Sequence, residues 1–190
     1  AVLQEYIIAV EETEQGVRRL EQLIQESAAD SPHAPVMQAL QALRGVQVIA
    51  AATIVAEVGD FTRFAHPEQL MAYAGLTPRE YSSGGKVRRG GITKTGSPDL
   101  RWICTQIAHS YRYAPRVAGN LAKRLEGASP QIQAIAWKAQ VRLHRKLMKL
   151  IARGKSRPVA VMAIARELLG FVWAIAQEAN CEMAMGRRSA

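Results

Sequence analysis

Two neighbouring hydroxyls, Ser82 and Ser83, precede Gly84-Gly85 within a stretch from Tyr73 to Lys94 that is rich in glycine and in cations. Between Arg79 and Arg101 six basic residues (Arg79, Lys86, Arg88, Arg89, Lys94 and Arg101) are set against two acids, Glu80 and Asp99. Such a segment focuses a positive field, which draws nucleic acid. A serine hydroxyl is a weak nucleophile until a base takes its proton or cations stabilise the developing charge, and phosphoryl transfer uses both devices. The lysines and arginines meet the second condition. Glu57, Asp60, Glu80 and Asp99 are too scattered to hold a pair of magnesium ions, so metal ligands for such a reaction would come from elsewhere.

Other chemistries fit less well. There is no Gly-x-Ser-x-Gly elbow and no histidine spaced suggestively from a partner acid, which argues against a serine hydrolase. Tyr81 as the nucleophile of a tyrosine recombinase lacks a surrounding His/Arg constellation. On the residues alone the favoured reading is a loop that clamps a phosphate backbone, with Ser83 as a turn residue.

A second basic region starts at Ser129-Pro130, a helix-start signal with serine as cap and proline in the first turn. At helical spacing Lys138, Arg142, Arg145, Lys146, Lys149 and Arg153 share one arc, and Leu143, Leu147, Leu150 and Ile151 lie across from it. From Lys138 to Arg157 there are eight basic residues and no acid. This is either a backbone-binding face, with strongly salt-dependent affinity, or a solvated one. Trp137 and Trp173 read as packing residues, because aromatics make up only 6% of the chain and do not interleave with the basic runs.

The elements that must position these groups read as mostly α-helical. A chain of 190 residues, 48% hydrophobic, can bury roughly 70% of its unfolded surface, enough for one domain or a domain with an appendage. A net charge of +9 and a pI near 10.0 point to phosphate-bearing or anionic partners. Cys104 and Cys181 form no metal or disulfide pattern, and no uninterrupted apolar run approaches the roughly 20 residues of a bilayer span. With no secretory pattern, a soluble protein in a reducing cytoplasm is expected. Ala1 opens inside a helical pattern, as in an excised fragment or after loss of an initiator methionine.

Residues 1–31 read as the end of a long coiled-coil-type helix, with Leu3, Val10, Val17 and Ile24 in one heptad position and Tyr6 and Leu20 in the other. Seven acids against Arg18 and Arg19 make it unattractive to nucleic acid; it packs either on its own domain or on another chain. A domain over 36–180 follows, then a tail over 181–190. Val36–Arg44 and Val48–Val58 read as two helices joined at Gly45-Val46-Gln47, like a helix-hairpin-helix, although Gln47 stands where a second glycine normally lets a phosphate approach. A helix near Pro67–Tyr73 leads into the basic Ser/Gly loop, which has room for a small β-hairpin. Ser97-Pro98 starts another helix that places Leu100, Ile103, Cys104, Ile107, Ala108 and Tyr111 on a core face, with His109 beside Arg101 opposite, either on a phosphate or simply at the surface. A last helix buries Val161, Ile164, Ala165, Leu168, Leu169, Val172 and Ile175.

From about Val36 to Gln177 the chain resembles the C-terminal transposase domain of the insertion sequence one-ten family, the bridge-RNA-guided bacterial transposases. The resemblance is carried by ordered blocks: Leu40-Gln41-Ala42-Leu43-Arg44-Gly45-Val46, Ala56-Glu57-Val58-Gly59-Asp60-Phe61, Gln69 to Pro78, Ser82-Ser83-Gly84-Gly85, Gly91-Ile92-Thr93-Lys94-Thr95-Gly96, Ala136-Trp137-Lys138-Ala139-Gln140 and Ala163 to Leu168. It implies a recombinase whose serine, Ser83 by motif, becomes joined to DNA as a phosphoserine ester. It also implies an N-terminal RNase H-like nuclease domain that holds Mg2+ and lies outside this chain, a coiled-coil connection, and work on DNA with a guide (bridge) RNA as a dimer or tetramer. On that reading the chain alone binds nucleic acid without cutting it.

Overall fold

A computed structural model describes residues 2–83 and 86–189; the side chains of 81–83, 86–89 and 187–189 are not described. Among the described residues there are eight α-helices and one two-stranded antiparallel sheet. The core is organised around the last helix, α8 (Arg157–Ser189). It packs against α2 (Ala34–Leu40), α4 (Pro67–Tyr73), α5 (Pro98–Ala108) and α7 (Pro130–Ala152). Ala160, Ile164, Ala165, Leu168, Leu169, Val172 and Ile175 are all fully buried along it. By length and hydropathy α8 could cross a bilayer, yet more than half of that stretch is buried within the molecule, as in a core helix. The helix continues through Ser189, so residues 181–189 prolong it where a separate tail was expected.

Local signals explain most boundaries. Ser97 and Ser129 cap α5 and α7, their Oγ atoms accepting from Leu100 N at 3.0 Å and Ile132 N at 3.3 Å, with proline next in each case. Helix α2 stops at Leu40, short of the expected Arg44, because Gln41, Ala42 and Leu43 turn more tightly, bonding three residues back. Those turns aim Arg44 across the molecule, where its guanidinium donates to the carbonyls of Tyr113, Ala114 and Arg116 at 2.9–3.0 Å. Gln140, buried on α7, accepts from Arg116 N at 3.2 Å and ties down the same segment. Gly45 closes the turn before α3 (Val48–Val58) with φ 82°, and its open side faces Ser110 and Ile107. A short helix the sequence reading did not anticipate, α6 (Asn120–Glu126), precedes α7.

Helix α1 (Val2–Ala29) buries none of its residues. Val2, Leu3, Tyr6, Val10, Val17 and Leu20 are exposed, and the helix meets the rest of the chain chiefly at its C-terminal end, near α2 and α3. Packing on its own domain therefore accounts for little of its apolar row.

Candidate nucleic-acid interface

The basic loop folds as a hairpin. Strand β1 (Pro78–Ser83) runs antiparallel to β2 (Lys86–Ile92), pairing Glu80 with Arg89, Tyr81 with Arg88, Ser82 with Val87 and Ser83 with Lys86. Ser83 thus ends β1 opposite Lys86, with Arg88 and Arg89 further along the paired strand. The side chains of Ser83, Lys86, Arg88 and Arg89 lie outside the described residues, as do Gly84 and Gly85 altogether.

The root of the hairpin is built by backbone meeting backbone. Beyond the strands, Thr93 N donates to Thr77 O at 2.9 Å and Lys94 N to Gly75 O at 3.0 Å. Gly75 and Gly96 have φ 66° and 102°, and a Cβ on either would sit 2.2 Å from Thr95 O or 1.8 Å from Tyr73 O. Only glycine fits there. Lys94, a non-glycine residue at φ 59°, completes the crossing. These contacts explain why Tyr73-Ala74-Gly75 and Thr95-Gly96 occur as blocks: each leaves room for the other's main chain.

Three sequence-predicted cations have described side chains near this root. Arg79 is exposed and donates to Thr93 O at 3.3 Å; Lys94 is exposed. Arg101 is half-buried and donates to Ala74 O at 3.0 Å, bracing the turn after α4. Glu57 is engaged as well, accepting the Ser97 hydroxyl at 2.5 Å. His109 is exposed at the end of α5, and Cys104 is buried there, its thiol pushed up to about 12 by burial. Among the described residues no three His, Cys, Asp or Glu side chains converge.

The second basic region forms a groove of about 780 Å³ along α7 and α8. Lys138, Arg142, Arg145, Lys146, Lys149 and Arg153 line it with Val141, Leu150 and Trp137. Sequence spacing found the cations and missed two further members. Glu167 of α8, 9% exposed, accepts from both Arg142 and Lys146. Burial would raise its carboxyl, but the hydrogen bonds from Lys146 and Arg142 outweigh that and hold it below the usual carboxylate range. Among the described residues Lys138, Arg145, Lys149 and Arg153 have no acidic partner.

Trp137 corrects the packing assignment: it is 47% exposed. The inward face of α7 is set by Ala136, Ala139, Gln140, Leu143 and Leu147, which turns position 137 outward. Trp173 keeps its packing role, donating Nε1–H to Phe64 O at 2.9 Å. Leu150 is half-buried and Ile151 exposed, so the apolar arc of α7 is narrower than the spacing suggests.

Fold and surface together define a helical domain with a rooted basic hairpin and a cationic groove, a class suited to polyanions. Residues 37–120 match the model of the Transposase IS116/IS110/IS902 family, and the chain carries a domain of that family. It is 50% identical over 152 residues to y4qE of Sinorhizobium fredii, a protein named as a transposase, covering 78% of this chain and 39% of that one. It is 30% identical over 168 residues to a protein of Pseudomonas aeruginosa named as a family 20 transposase, covering 88% of this chain and 42% of that one. Over 75 residues, 40% of this chain and 20% of the other, it is 40% identical to the transposase for insertion sequence element IS1111A of Coxiella burnetii. The chain therefore spans less than half the length of these curated relatives.

Proposed function

We propose that this chain is the serine-bearing domain of a DNA transposase. The observation that carries the reading is the hairpin, which ends β1 at Ser83 opposite Lys86 and stands on a root that glycine-only contacts make rigid. In the proposed step the Ser83 oxygen attacks a DNA phosphorus. The Oγ–P bond forms as the bond to one deoxyribose oxygen breaks, and the serine proton ends on the departing oxygen. One ester replaces another, so the strand can be resealed on a new partner without a nucleotide cofactor. Lys86, Arg88 and Arg89 would stabilise charge on the phosphoryl oxygens, with Arg79, Lys94 and Arg101 nearer the root.

Mg2+ is assigned to the acidic residues of a nuclease domain outside this chain, because those described here do not converge on an ion. The exposed apolar row of α1 supports assembly into a homo-oligomer through a coiled coil, and the α7 groove supports contact with DNA and with a guide RNA.

The test is to combine the chain with its presumed nuclease half, RNA and donor DNA, and look for protein joined covalently to DNA. The parent and Ser82→Ala should give the adduct; Ser83→Ala should bind DNA yet give none. No adduct in the parent would leave a clamp without chemistry.

A further inference from the structure

Trp137 is the least expected member of the α7 groove. A large aromatic side chain left half exposed forgoes the burial that normally holds it, and here the indole forms a shared wall. On one side is the cationic groove; on the other is a hollow of about 440 Å³ lined by Val117, Ala122, Leu125, Glu126, Gln133 and Gln140. The ring is therefore approachable from a cationic side and from a side of mixed apolar and polar residues. Lys138 lies next to it in sequence, and Arg145, Lys149 and Arg153 continue toward the end of α7 over about 22 Å of helix. Between them Glu167 pairs with Arg142, which stays exposed, and with Lys146, which is half-buried.

A duplex would use the cations but has no free base face to offer the indole. An unpaired strand offers both a phosphate backbone and a base that can lie on an aromatic ring. We propose that Trp137 and the cations of α7 form a stacking site for an unpaired stretch of DNA. DNA is the occupant because cutting and exchanging strands, the reading proposed above on which this inference rests, opens DNA and leaves bases unpaired.

The experiment is fluorescence anisotropy with the purified chain and a fluorescein-labelled DNA single strand of roughly 12 nucleotides, against a duplex of the same length. Trp137→Ala is expected to weaken single-strand binding by about 5- to 100-fold and to leave duplex binding unchanged. Trp137→Phe and Trp137→Tyr should regain most of the loss, and on an abasic strand the parent should bind no better than Trp137→Ala. Equal losses on strand and duplex, or no loss on the strand, would overturn the stacking site. Tighter binding to RNA of the same sequence would overturn the assignment to DNA. The variants report on folding through their melting curves, and Trp137→Phe and Trp137→Tyr, which keep most of the buried ring, carry the test where Trp137→Ala lowers stability. Anisotropy reads binding alone and the covalent adduct reads the serine chemistry, so failure of that chemistry and failure of the stacking site are separable.

Discussion

The hairpin root and the α7 groove both serve a basic surface, and they are held in opposite ways. At the root the main chain is locked: Gly75 and Gly96 are in left-handed backbone conformations against carbonyls of Thr95 and Tyr73, and there is no space for a side chain. In the groove the helix backbone is ordinary, and the side chains are arranged by charge, with Glu167 pairing the exposed Arg142 and the half-buried Lys146 while Lys138, Arg145, Lys149 and Arg153 are exposed without an acidic partner among the described residues. The serine chemistry proposed for the hairpin needs a positioned nucleophile, and backbone contacts at the root suit that need. A phosphate-binding face works through summed field and tolerates movement of long side chains.

The sharpest way to break this contrast is at the root. Gly96→Ala, whose Cβ would lie 1.8 Å from Tyr73 O, and Gly75→Ala are expected to cost on the order of 3 kcal/mol or more, read from urea unfolding. Gly154→Ala is the control: its φ is 74° but nothing lies within 4 Å of the added methyl, so about 1 kcal/mol of backbone strain is expected. Equal losses in all three would mean that the interlocked main chain adds no rigidity beyond backbone conformation.

Much of this arrangement was legible in the sequence because its causes are local. The capped starts at Ser97-Pro98 and Ser129-Pro130, helix α4 at Pro67–Tyr73, the buried face of α8 and the cations of α7 follow from neighbours within one or two turns. The root was visible only as glycine-containing blocks. The reason for those glycines is a contact between residues about twenty positions apart, which no local pattern states. Arg44 read as the last residue of a helix, and its three carbonyl partners are contributed by a distant irregular segment. Trp137 was assigned by composition, although the phase of Ala136, Ala139, Gln140, Leu143 and Leu147 around α7 would have turned it outward. Glu167 carried a signal too: an acid among Ile164, Ala165, Leu168 and Leu169 on a core helix needs a cationic partner, and α7 holds the cations.

In the groove, smaller effects sharpen the other half of the comparison. Glu167→Gln removes the charge that neutralises Arg142 and Lys146, four residues apart on one helix, and should cost about 1 kcal/mol at neutral pH, a value limited by the exposure of Arg142. The pH dependence has a definite sign. Because the folded state holds this carboxyl below its usual range, its stabilisation is present above the unfolded carboxylate pKa and is lost as pH falls through the folded value. An acid titration of the parent should therefore show a loss of stability that Glu167→Gln lacks. The same variant should bind DNA more tightly, since two cations are released toward the groove.

Lys149→Gln tests whether the exposed cations act as independent phosphate contacts. Lys149 is exposed, lines the groove and has no acidic partner among the described residues, so its removal should leave the melting temperature unchanged. If it neutralises one phosphate, the slope of log affinity against log salt should shrink by about 0.7 for a single strand or about 0.9 for a duplex, with equal weakening for every DNA sequence tried. A loss that depends on sequence would mean that Lys149 reaches a base edge, and an unchanged slope would place the bound strand on the Trp137 side of the groove. Either result differs from what the hairpin root would give, where a change in any one residue displaces the others through the main chain.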